Sequence, residues 1–173
     1  MVKRVTFSAI SMALTVICLY GAAILPTGRL AALALSSIFV TICIYQYGWR
    51  YGAAVFVGAS VLALLLIPNR MFTFVYILFV GHYPIIKLFI ERLDRLWLEW
   101  ILKFVYFNLI LVLMYALFKV FILPTFNPGI LALALKYMAV IILALEVIFA
   151  LYDWVLSYMI SYYDTFVRRI RHE

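Results

Sequence analysis

The chain has 173 residues, of which 69% are hydrophobic and only 12% charged, with a mean hydropathy of +1.17. A soluble domain is usually about half apolar and about a quarter charged, and one of this size exposes too much surface to hide the excess. The composition therefore excludes a soluble globular fold and points to lipid, where the backbone must satisfy its own polar groups within helices.

Pro and Gly cluster where each apolar run ends, and they divide the chain into six predicted spans. Span one covers about residues 5–25 and stops at Pro26-Thr27-Gly28-Arg29. Lys3 and Arg4 before an apolar run resemble a signal peptide, but the run lacks the usual small-residue cleavage site and is read as a span. Span two, about 30–46, is short and rich in Ala and Ser, and the stretch from Gln46 to Gly52 is predicted to be a tight turn. Span three, about 53–67, ends at Pro68-Asn69-Arg70. Spans two and three are near the lower limit for crossing a ~30 Å core, so a re-entrant pair is the alternative. Span four, about 71–90, contains the break Gly81-His82-Tyr83-Pro84. Span five runs over about 98–123, and span six over about 130–152, followed by an amphipathic tail at 153–173. All six belong to a single transmembrane domain, and the fold class is all-α and polytopic.

Charge placement predicts the orientation. Lys3, Arg4, Arg50, Arg92, Arg95, Lys103, Arg168, Arg169 and Arg171 fall on one side, against Arg29, Arg70 and Lys119 on the other. Cytoplasmic loops carry the excess of Lys and Arg, so both termini are expected in the cytoplasm of a bacterial cell and the chain in its plasma membrane. The net charge of +7 follows from this bias. With no base-stacking platform or basic soluble module, nucleic acid is not an expected partner. The stretch Glu91–Trp100 and the tail alternate charge with Leu, Trp and Tyr at helical spacing. They read either as interfacial anchors or as docking surfaces for a partner.

Residues able to carry chemistry are sparse. His82 and His172 are the only histidines, and no Ser-centred elbow, phosphate loop or metal-ligand spacing occurs. Cys18 and Cys43 sit inside apolar runs and read as small core residues. Neither catalysis nor a cofactor or metal is expected. Ionisable groups inside a membrane are functional candidates by default. Lys87 lies roughly 24 Å into span four at 1.5 Å per residue, and Glu146 lies at a similar depth in span six. They either form a buried pair, or Lys87 snorkels to the interface while Glu146 bonds locally. On the opposite side Arg29, Arg70, Lys119 and Lys136, with Asn69, Asn127 and Tyr137, face no acidic residue. They would favour an anionic ligand in a cavity, or bind lipid phosphate. His82 with Pro84 either frees a carbonyl toward such a cavity or marks a kink filled by neighbours. Ala9 and Ala13, four apart in span one, form a small-residue face that admits another helix.

The Ala9-x-x-x-Ala13 face and the turn Tyr47-Gly48-Trp49-Arg50-Tyr51-Gly52 together resemble the substrate-binding S components of energy-coupling factor (ECF) transporters. The turn departs from the family's pattern, since Gly52 is displaced by one position and no proline follows Gly48. The stretch from Pro68 through Gly81-His82-Tyr83-Pro84 and Lys87 to Arg92 resembles Firmicutes membrane proteins grouped near the same fold. The resemblance covers most of the chain and implies a six-helix subunit that captures a vitamin or similar micronutrient. Its partners would be a membrane coupling subunit, docked on the Ala face, and ABC-type ATPases that hydrolyse ATP. The ligand would sit in an outward cavity formed by spans four to six and the loop after span one. No substrate signature is present, and the absence of an N-terminal His motif argues against a metal substrate. The MreD and YybS-like membrane scaffolds are similar in size and span number, and they supply the alternative: a frame that recruits cell-envelope partners and transports nothing.

Overall fold

Six stretches of the computed structural model, which describes residues 2–93, 95–121 and 137–172, are helical and apolar over lengths that can cross a membrane. They are Val2–Ile24, Arg29–Tyr47, Trp49–Leu66, Arg70–Glu91, Leu96–Leu117 and Met138–Tyr163. No strand occurs among the described residues. Large apolar side chains are left uncovered along these helices, with Leu65 77% and Trp97 85% exposed. Water would not tolerate so much uncovered apolar surface, whereas lipid tails are its natural contact. The protein is an all-α, multi-pass membrane protein.

The chain divides into two compact units, Met1–Arg92 with Leu156–Glu173, and Leu93–Val155. The first unit is built on α1 (Val2–Ile24), α2 (Arg29–Tyr47) and α3 (Trp49–Leu66), each packed against the other two. The buried face of α1 is Ser8, Ser11, Thr15, Leu19 and Ala22, a three-and-four spacing that makes one helical stripe. Opposite it, α2 buries Ser36, Ser37, Val40, Thr41 and Cys43. Small side chains let helices approach closely in lipid, where packing replaces the hydrophobic drive. Their hydroxyls stay satisfied without water by bonding back along their own helices. Thr15 donates to the Ser11 carbonyl at 2.8 Å, Ser36 to Leu33 at 2.6 Å and Thr41 to Ser37 at 2.8 Å. Val40, Cys43, Ile44 and Val55 form the apolar centre, walled by Phe7, Met12, Tyr51, Phe56, Ile85 and Leu88.

The turn between α2 and α3 is narrower than the expected Gln46–Gly52 stretch. It is essentially Gly48 alone, at φ 94° and ψ 167°, a conformation that only glycine adopts cheaply. Helix α3 consequently begins at Trp49, four residues before its expected start. Gly52 works by packing instead: it is buried in α3, and a methyl there would run into the Ile44 side chain of α2. With 19 and 18 residues, α2 and α3 are about 28 and 27 Å long, close to the thickness of the hydrocarbon core.

The fourth span is three pieces, α4 (Arg70–Val75), a π-helical segment (Tyr76–Val80) and α5 (Tyr83–Glu91). Pro84 explains the interruption. It has no N–H to offer the Val80 carbonyl, and its ring clashes with that carbonyl in a regular helix. The helix widens before the proline, turns at Gly81-His82, and restarts with Pro84 in the first turn of α5, where a missing N–H costs nothing.

The second unit contains α6 (Leu96–Phe121) and the first half of α7 (Met138–His172), whose second half belongs to the first unit. Phe107 and Phe149 stack at 4.4 Å with planes 3° apart, and Phe104 meets Phe149 edge-on at 6.3 Å. At 35 residues α7 is about 52 Å long, well beyond a membrane core. The helix runs on past residue 152, as expected of the sixth segment, through the amphipathic tail to His172, and its expected start near residue 130 lies outside the described residues.

Candidate functional site

Three polar features stand out in an otherwise apolar interior. The first is Lys87, on α5 and only 1% exposed. Its Nζ lies 2.9 Å from Glu91 Oε1 and donates to Ser157 Oγ at 2.7 Å. Glu91 is one helical turn further along, so the pair forms within α5 without ordering a distant group. Lys87 and Glu146, the expected pair, belong to different units, and each has a partner within its own. Glu146 instead accepts from Asn108 Nδ2 at 3.3 Å, in the second unit. The i,i+4 spacing of Lys87 and Glu91 was the signal that sequence reasoning passed over.

The second feature is Lys103 on α6 with Asp153 on α7, 2.9 Å apart and 5% and 4% exposed. Sequence reasoning put Lys103 among the cytoplasmic charges and Asp153 at the start of the tail. The structure buries both. Each cancels the other's desolvation, and Lys103 Nζ also lies 5.8 Å from the Trp100 ring centroid. A Lys seven residues into an apolar helix was the available clue.

The third feature is the π-helical segment. Tyr76 is fully buried, and its hydroxyl and that of Thr73, three residues earlier, have no hydrogen-bond partner. His82 Nδ1 lies 2.9 Å from the Ile77 carbonyl, which requires the proton on that nitrogen. The ring thus serves one of the carbonyls that the interruption frees. Phe56 packs on both sides of the bend, 5.9 Å from Tyr76 and 5.8 Å from His82. Of the two readings of Gly81-His82-Tyr83-Pro84, the one realised is the kink filled by neighbouring rings.

Of the candidate ligand residues, Arg29, Asn69 and Arg70 lie in the first unit and Tyr137 in the second. Arg29 Nε donates to the Leu25 carbonyl at 2.7 Å, closing the end of α1, and its guanidinium stands 5.6 Å over Phe72. Asn69 Oδ1 accepts from Met71 N–H at 3.2 Å and caps α4, whose first residue, Arg70, is exposed. Tyr137 is half-exposed just before α7. The side chain of Lys119, and Asn127 and Lys136, lie outside the described residues. Ala9 and Ala13 are both exposed, on the side of α1 away from its buried stripe. Cys43 is buried and Cys18 half-buried, neither in a disulfide. Among the described residues no group of three His, Cys, Asp or Glu side chains could hold a metal ion.

Sequence reasoning gave no hint of a cavity of about 230 Å³ in the first unit. Its walls are the second half of α2, through Ile38, Thr41, Ile42 and Tyr45, and the stretch of α7 from Leu156 to Tyr163. The lining is apolar apart from Thr41, whose hydroxyl donates to the Ser37 carbonyl, and three tyrosines at one end. Arg29, Asn69 and Arg70 take no part in it. Comparison with protein-family models, with curated proteins and with solved structures finds no match to this chain.

Proposed function

We propose that the chain is a substrate-capture subunit of an ECF-type importer, one that docks a coupling subunit through the Ala face of α1. One observation carries this reading. The stripe of α1 that faces α2 and α3 is already filled, while Ala9 and Ala13 stand uncovered on the other side. Two methyl-sized side chains one turn apart leave a groove that another helix can enter closely. In this reading the chain itself hydrolyses nothing. Partner ATPases supply the energy, and the ligand is a vitamin-like micronutrient with an anionic group, attracted by exposed Arg29 and Arg70. Both termini are cytoplasmic in a bacterial plasma membrane, following the Lys and Arg bias. Tags at either end should be reached by an impermeant reagent only after the cell is opened, and labelling of one end on intact cells would reverse this orientation.

A second reading, a non-transporting scaffold of the MreD or YybS-like kind, is favoured by a different observation. Arg29 and Asn69 are engaged in closing and capping helices and take no part in the cavity between α2 and α7. The deciding experiment is purification of the tagged protein from its native membrane in a gentle detergent, with the captured proteins identified by mass spectrometry. A coupling subunit with paired ATPases supports the importer, whereas cell-envelope proteins without ATPases support the scaffold. Ala9→Trp and Ala13→Trp should abolish capture while leaving the isolated chain folded. Undiminished capture would remove the Ala face from the argument.

A further inference from the structure

We propose that the cavity between α2 and α7 holds one acyl chain of a phospholipid with an anionic headgroup. Its walls run from Ile38 to Tyr45 and from Leu156 to Tyr163, eight residues or about 10 Å on each helix. That is a large part of one leaflet of a ~30 Å core. The floor is Thr41 and Leu156, both buried, and the Thr41 hydroxyl is spent on the Ser37 carbonyl, so nothing in the floor calls for water. An apolar, dry slot at membrane depth suits a hydrocarbon chain.

The remaining polarity is confined to one end, where Tyr45, Tyr162 and Tyr163 stand. Tyrosines occupy this position at the level of lipid headgroups, with the ring in hydrocarbon and the hydroxyl at the polar edge. The same end of the unit is basic. Tyr47, two residues beyond Tyr45, meets Phe7 of α1 at 5.4 Å, which brings the first turns of α1 with Lys3 and Arg4 to the end of α2. Arg50 follows directly and lies over Trp49 at 5.7 Å. Lys3, Arg4 and Arg50 are exposed. Among the described residues of this unit the carboxylates are Glu91, which is committed to Lys87, and Asp164, against the basic Lys3, Arg4, Arg50, Arg168, Arg169 and Arg171 of the same unit. The surround of the slot therefore selects a negative headgroup over a zwitterionic one. This assignment is independent of the choice between importer and scaffold.

Native mass spectrometry of the whole chain, delipidated and then titrated with phosphatidylglycerol or phosphatidylcholine of equal chain length, tests it. The expected result is one tightly held phosphatidylglycerol per chain that an equal amount of phosphatidylcholine does not displace. Arg50→Gln should narrow that preference about fivefold, the worth of one basic residue at an anionic surface. Met159→Trp should fill the slot and lose the lipid. Met159 is exposed, so this variant should fold, and Ile42→Trp from the opposite wall gives a second filling, each checked by its helical circular dichroism. Equal retention of the two lipids, or undiminished binding by both folded filling variants, overturns the proposal. So does a photocrosslinker at Met159 that captures protein rather than lipid in native membranes.

Discussion

Tyr76 shows how a single buried hydroxyl can work against the fold that contains it. Its ring fills the bend of the fourth span, packed on Phe56, while its buried hydroxyl has no hydrogen-bond partner among the described residues. Leaving such a group unpaired costs about 1–3 kcal/mol, and removing it recovers that cost if the ring is kept. Tyr76→Phe should therefore raise the midpoint of thermal unfolding in detergent, and a fall would mean the hydroxyl has a partner in the working state. The lysines behave in the opposite sense. Removing one member of a buried pair strands its partner, at about 3–5 kcal/mol, whereas removing both is far milder. Lys103→Met and Asp153→Leu should each destabilise the protein strongly, and the double variant should be more stable than either single one. An additive double variant would show that the 2.9 Å contact contributes no coupling. Single residues of this kind were only partly legible in the sequence. Lys87 stood out as an ionisable group within an apolar run, but its partner depended on which carboxylate lay one turn away. Glu91 was read as interfacial, and Glu146 as buried.

At the scale of the element, proline and glycine positions placed the C-terminal ends of α1, α2 and α3 within one residue, but not how each one works. Gly48 and Gly52 look alike in the sequence, as two glycines of one turn. The structure separates them into a backbone role and a packing role. Gly48→Ala should cost about 1–3 kcal/mol through strained backbone, since nothing lies within 4 Å of an added methyl. Gly52→Ala should cost through collision with Ile44, and the paired change Gly52→Ala with Ile44→Ala should relieve it. Unfolding measurements on the three variants distinguish these mechanisms, and no relief in the double variant would refute the packing role. The fourth span illustrates the same limit. Pro84 announced an interruption, yet its π-helical form and its starting point at Tyr76 depend on how Phe56 and His82 pack the bend.

For the molecule as a whole, composition and the repeat of apolar runs already determined a multi-pass α-helical membrane protein. The reason is general: a 20-residue apolar run has no stable place in water, and in lipid its backbone can satisfy itself only within the helix. Helix number and approximate ends followed from the sequence because both are local properties. The tertiary structure alone decided what depends on residues distant in the chain. It pairs Lys103 with Asp153 across 50 positions and buries two charges that were expected on the cytoplasmic side. It also gives Arg29 and Asn69 bonds at helix ends, and it opens a slot between α2 and α7 that no local pattern announces. Charge pairing and cavities arise from which helix faces meet, and in lipid those meetings are set by side-chain shape and polar matching rather than by hydrophobic pattern.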